Sequence, residues 1–190
     1  MSDVDKVLNT LIFLFKSTFA RDRMCRLVQY AARVALVLFP SETKYAKLFA
    51  SMESGRKILR FGRSIPILLA IQNLSAEKKK AERFRFISRS FLLCFLLLDH
   101  YRFLISAGLV HHEPSFVRKM DRVANAFWLG ESVLEACAGI ESLSQGIRIA
   151  CDIVLALHEL SQGQLSALFS GAAGAVSSTI QLITLVSDRK

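Results

Sequence analysis

Ser54-Gly55-Arg56-Lys57-Ile58-Leu59-Arg60-Phe61-Gly62-Arg63-Ser64-Ile65 alternates basic and apolar side chains at helical spacing, and its reading decides the fold. On a wheel of 100° per residue, Arg56, Lys57, Arg60 and Arg63 fall within about a third of the circumference. Leu48, Met52, Ile58, Leu59, Phe61 and Ile65 take the other side, with Gly55 and Gly62. One reading is an interfacial helix over Lys44 to Ile65, with its apolar face among acyl chains and its basic groups at the headgroups. The other is a bundle helix whose apolar side packs on protein while its arginines meet water. Pro66 lacks a backbone donor and is expected to kink or stop the helix at that point.

Outward from this stretch the chain continues in helical periodicity. Val4 to Lys16 is apolar at Val4, Val7, Leu8, Leu11, Ile12, Leu14 and Phe15, too short to span a bilayer. From Arg21 to Phe39 a second helix runs to Pro40. Its Asp22, Arg26, Gln29 and Arg33 form one polar stripe, opposite Met24, Leu27, Val28, Ala31, Ala35 and Leu38. Lys78-Lys79-Lys80, Arg83, Arg85 and Arg89 make a basic collar before an apolar run from Phe91 to Leu98. That run predicts an embedded helix toward Val110, although Asp99, His100 and Arg102 interrupt it. Asp99 and Arg102 stand three apart and can neutralise each other on one face.

Ser115 to about Leu143 reads as helix with the one tryptophan, Trp128. Arg148 to Leu160 is a further short amphipathic piece. Leu165 to Val186 carries no charge over about 22 positions, enough for the ~20 a bilayer requires, and predicts a transmembrane helix. Its Ser170, Gly174 and Ser178 recur every fourth residue, as do Ala167, Gly171 and Ala175, the small-residue pattern of close helix packing. The expected fold is all-α: a membrane-associated helical bundle with amphipathic interfacial helices and a C-terminal transmembrane helix. Its regions are 1–110 (basic, ending in the embedded helix), 111–160 (middle helices) and 161–190 (last helix and tail).

Composition supports this. Hydrophobic residues make up 52% of the 190, against 22% charged, and the net charge is +9. Nineteen of the 25 Lys and Arg precede residue 103, so the basic half points to an anionic partner such as the cytosolic face of a membrane. Cys25, Cys94, Cys137 and Cys151 lack metal-ligand spacing and read as reduced thiols among apolar neighbours. His111-His112-Glu113 before Pro114 reads as a loop, and His158-Glu159 has no further ligand nearby. No phosphate-cradling loop, nucleophile elbow or zinc helix signature is present, so neither a catalytic residue, a metal nor a cofactor is expected. The alternation Arg83-Phe84-Arg85-Phe86 could suit nucleic acid, but that leaves the apolar last helix unexplained. The N-terminus lacks the basic start of a secretory signal, so internal segments are expected to direct targeting.

Three places, and the last helix beside them, resemble the peroxin-11 family of peroxisomal membrane proteins. Arg21-Asp22-Arg23-Met24-Cys25-Arg26-Leu27-Val28-Gln29-Tyr30 is similar to the family signature Gly-Arg-Asp-Lys-x-x-Arg-x-x-Gln-Tyr, with Ala20 for the glycine and Arg23 for the lysine. Ser54 to Arg63 resembles the family's basic amphipathic helix. Leu98-Asp99-His100 with Gly108-Leu109-Val110, and Gly171-x-x-Gly174-x-x-Ser177-Ser178, resemble its later helices.

The resemblance implies a non-enzymatic protein that elongates the membrane of peroxisomes, or of a specialised form such as the glycosome, before fission. In that reading Arg56, Lys57, Arg60, Arg63, Ile58, Leu59, Phe61 and Ile65 bind lipid. Arg21, Asp22, Arg26, Gln29 and Tyr30 are the signature, and Ser170, Gly171, Gly174 and Ser178 pack helices. The implied partners are anionic lipids, further copies of the chain and fission proteins, and the basic half faces the cytosol. The alternative is a metabolite pore lined by Asp99, His100 and Arg102.

Overall fold

A computed structural model describes residues 3–73 and 82–188. Lys78-Lys79-Lys80, the centre of the expected basic collar, lie outside the described residues. Every regular element described is an α-helix: α1 (Asp3–Lys16), α2 (Thr18–Leu38), α3 (Thr43–Arg60), α4 (Ser64–Gln72), α5 (Arg83–Ser106), α6 (Pro114–Cys137), α7 (Leu143–Leu160) and α8 (Ala167–Ser187). The fold is all-α, as the periodicity predicts. Among the described residues, α8 alone is long and apolar enough by composition to cross a membrane.

Local chemistry sets the helix ends. Ser17, Ser142 and Ser166 cap α2, α7 and α8, each hydroxyl accepting from the backbone N–H three residues on. Pro114 opens α6, where its missing donor costs nothing. Gly139, at φ +114°, follows that helix, which therefore ends at Cys137 and not near Leu143 as its composition suggests.

The expected single helix from Lys44 to Ile65 is two. The chain breaks at Phe61–Arg63, where Gly62 takes φ +83°, a conformation costly for any residue with a Cβ. Pro66 is not the breaker. It sits in the first turn of α4, where an intrahelical donor is not needed.

The larger helices close on themselves. Going round, α2 packs on α3, α3 on α5, α5 on α6, α6 on α7, α7 on α8, and α8 back on α2. Cross-contacts make the α2–α3 hairpin antiparallel: Asp22 meets Arg63, and Arg33 stacks on Phe49. Because Arg63 also lies over the Phe19 ring at 4.8 Å, the α3–α4 turn sits beside the start of α2. Consequently α1, which precedes α2, and α4, which follows α3, extend from the same end of that hairpin. Helix α4 in turn packs along α5, Ile67 joining Leu92, Phe95 and Leu96.

The α2–α8 seam explains the small residues of the last helix. A Cβ on Gly171 would lie 2.9 Å from Val34 Cγ2, and one on Gly174 would overlap the Tyr30 ring. Ser170 and Ser178 are fully buried in the same seam. The stripe that the sequence offers to a second copy is therefore used within the chain, bringing the first and last regions together.

Candidate functional site

The polar stripe of α2 points inward. Asp22, Arg26 and Gln29 are buried, and Tyr30 lies with them. Asp22 is fully enclosed and collects three guanidinium groups: Arg23 at 3.2 Å, Arg56 at 3.1 Å and Arg63 at 3.4 Å. Arg56 also donates through Nη1 to Gln29 Oε1 at 2.5 Å. At Arg63, in the turn outside the helices, burial lowers the guanidinium pKa from its ordinary value while Asp22 opposes the shift. Of the signature residues, Asp22 and Gln29 thus meet through Arg56, the Arg26 guanidinium lies 5.7 Å from the Tyr30 ring, and Arg21 is exposed and donates to Thr18 Oγ1 at 3.2 Å.

Further pairs link the ring. Arg60 reaches Asp99 on α5 at 3.2 Å, and His100 Nε2 lies 2.9 Å from the Arg60 carbonyl. Arg102 approaches Asp99 at 3.8 Å, the pairing expected from spacing, and is closer to Asp121 on α6 at 2.6 Å. Arg26 spans to Asp152 on α7 at 2.6 Å, Arg33 to Glu159 at 3.0 Å, and Arg148 pairs with Glu135. Between these helices lies a cavity of about 1160 Å³ with lining residues from each helix of the ring. Trp128, on α6, faces it and stacks 5.6 Å from the Arg26 guanidinium.

The positions of Arg56, Arg60 and Arg63 differ from both readings of their sequence. They were expected at headgroups or in water, and instead they turn into the bundle onto carboxylates. A guanidinium buried with a carboxylate avoids the cost of an isolated buried charge, and Asp22 and Asp99 supply those partners from distant segments. Lys57 pairs with Glu53 one turn back at 3.4 Å. The apolar residues of the same stretch face outward: Ile58 is 59% exposed, Phe61 57% and Ile65 62%, while Leu59 is intermediate. Phe61 still touches α5, its ring 5.8 Å from Phe103.

Sequence reasoning had no signal for Asp152, which is buried between α2 and α8 and also accepts from Ser177 Oγ at 2.8 Å. Only its i,i+4 spacing from Arg148 marks it. Among the described residues no group of three or more His, Cys, Asp or Glu could hold a metal ion. His112 bonds to the Tyr101 hydroxyl at 2.6 Å and stacks on Phe116. All four cysteines are free thiols.

An interior of charges inside an apolar exterior suits a membrane protein, and comparison with known proteins agrees. No curated protein and no solved structure matches the chain. Residues 8–148, which include the signature, the basic stretch and the ion-paired helices α2 to α6, match Peroxisomal biogenesis factor 11. The match covers well over half of the chain. The protein therefore belongs to the peroxisomal biogenesis factor 11 family, whose setting is the peroxisomal membrane and whose general role is its proliferation.

Proposed function

We propose that this protein elongates the peroxisomal membrane ahead of fission by expanding the cytosolic leaflet with apolar helices held at one end of the bundle. The observation that carries the reading is the shared end of α1 and α4. Helix α1 exposes Val7, Leu8, Leu11, Ile12 and Phe15, and the α3–α4 segment exposes Ile58, Phe61, Ile65, Leu68 and Leu69. Apolar volume inserted into one leaflet favours curvature toward that side. The excess of basic residues in the first half of the sequence favours a cytosolic orientation for that half. Anionic lipids, further copies of the chain and fission proteins are the partners of this reading, and no chemistry is catalysed.

The role of the basic residues shifts accordingly. Arg56, Arg60 and Arg63 hold the α3–α4 turn against α2 and α5, so they position the wedge, and Lys57 stays beside it. Overexpression of the wild type should give elongated peroxisomes, and the triple variant Ile58→Ser, Phe61→Ser, Ile65→Ser should leave them round at equal abundance. Elongation by that variant equal to the wild type would sink the wedge reading.

A second reading is favoured by one observation, the polar cavity bordered by every helix of the ring. Such a lumen suits a pore for polar metabolites. Conductance in planar bilayers, altered by Asp99→Asn with Arg102→Gln, separates it from the wedge.

A further inference from the structure

Among the described residues six helices are long enough to cross a bilayer, although only one of them is apolar enough by composition. The ring helices have 21, 18, 24, 24, 18 and 21 residues in chain order. At 1.5 Å per residue that is about 27–36 Å each, against a hydrocarbon core of about 30 Å. Five of them fail as spans on composition because of Asp22, Arg26, Arg60, Asp99, Asp152 and their like. Those side chains are turned inward and paired.

The outer surface has the reverse character. Within the ring helices, the exposed charged residues are Arg21 on α2, Lys44 and Lys47 on α3, Arg83, Arg85 and Arg89 on α5, and Arg118, Lys119 and Arg122 on α6. Every one falls in the first nine residues of its helix, and α7 and α8 have none; among the paired acids Glu53, eleventh in α3, keeps 40% of its side chain exposed beside Lys57. Beyond these basic ends the exterior shows Val28, Leu97, Val123 and Val176, each at least 40% exposed. A water-soluble bundle has the opposite arrangement, with its charges spread along the outer faces and its core apolar. Here the buried set includes Asp22, Arg26, Asp99, Asp152 and three serines of α8, while the buried apolar core is small.

We infer that the whole ring, α2, α3 and α5 to α8, is immersed in the bilayer, with acyl chains against its apolar exterior and the ion pairs sealed inside. Insertion scales charge about 2.5–3.5 kcal/mol for each ion left facing lipid at a helix centre. The inward pairing avoids that cost, and the exposed cations sit where a helix end meets headgroups and water. This surface fits hydrocarbon and not a second protein, because its apolar character runs round the outside of all six helices rather than forming one patch. The inference goes beyond the wedge reading and does not depend on it, since α1, α4 and the turn at Phe61 lie outside the ring and only Ile58, near the end of α3, belongs to both.

The test uses the full chain with its four cysteines changed to serine, reconstituted in phosphatidylcholine–phosphatidylserine vesicles. Single cysteines replace Val28, Leu97, Val123 or Val176, with Lys44→Cys and Arg118→Cys as the helix-end controls. All six positions are exposed, so a nitroxide label displaces no packing, and variants matching the wild-type circular dichroism are scored. Collision with oxygen should exceed collision with a water-soluble nickel chelate several-fold at the four belt sites, and the ratio should reverse at the two controls. Nickel access at Val28, Leu97 and Val123, with only Val176 shielded, would show a bundle anchored by α8 alone and overturn the inference. Low access to both probes would overturn it as well, since another protein copy would then cover the belt.

Discussion

Arg26 and Asp152 stand 126 positions apart in the chain and meet at 2.6 Å across the interior. Asp152 also accepts from Ser177 on α8 and from Arg148 one turn back, so a single carboxylate ties α2, α7 and α8. Arg26 is only 3% exposed. Removing its partner leaves a buried cation without compensation, which costs about 3–5 kcal/mol. Asp152→Ala should lower the thermal midpoint in detergent markedly. Replacing both partners, Arg26→Met with Asp152→Leu, should recover much of the loss, because paired buried ions are often no better than apolar groups of similar size. If the double variant melts as low as the single one, the pair does more than neutralise charge.

Gly174 gives a contact whose sign can be measured. In an exposed helix interior, glycine to alanine would raise stability by up to about 1 kcal/mol. At this position the added methyl meets the Tyr30 ring, and overpacking costs about 1–3 kcal/mol. Gly174→Ala should therefore destabilise the protein, and Tyr30→Leu in the same chain should relieve part of the effect. A stabilising Gly174→Ala would show that α2 and α8 do not approach as described.

Neighbours in the α3 sequence should respond in opposite ways. Arg56 is held by Asp22 and Gln29, whereas Ile58 projects outward. Arg56→Leu should unfold the protein at a lower temperature, since it leaves the enclosed Asp22 with fewer cations. Ile58→Ser should change stability by less than about 0.5 kcal/mol in detergent, where surface substitutions have little effect. Equal destabilisation by both would contradict the inward turn of the arginines.

Salt provides a further check. Basic side chains at headgroup level attract an anionic leaflet by about 1 kcal/mol each, an attraction screened within a Debye length. Arg56, Arg60 and Arg63 are committed to carboxylates inside the protein. Flotation with reconstituted vesicles should therefore retain the protein as ionic strength rises to about 1 M, where the Debye length is only about 3 Å. Release in proportion to salt would mean that headgroup cations, and not the apolar exterior, hold the protein to the membrane.

The helices were readable because each is a local matter. Pro40 stands beyond the end of α2 and periodicity fills the spans, whereas the stop at Gly139 and the start at Ser142 are not legible in this way: periodicity carries α6 on to about Leu143 and begins α7 at Arg148. The break at Gly62 was harder to see, since Pro66 four residues later carries the stronger breaking signal. A helical wheel put Arg56 and Arg60 on one side of α3 and Ile58 on the other, yet it could not say which side looked inward, nor that the helix stops before Arg63.

By itself the sequence determined that the protein is helical, that its last helix is apolar throughout, and that Arg56, Arg60 and Arg63 share a side. Tertiary structure alone decided that this side is the interior. The deciding partners, Asp22 and Asp99, lie 34 and 39 residues from the arginines they hold. Periodicity within one helix carries no information about a carboxylate brought from another, and the choice between facing water and facing a buried counter-charge is made only when the helices meet.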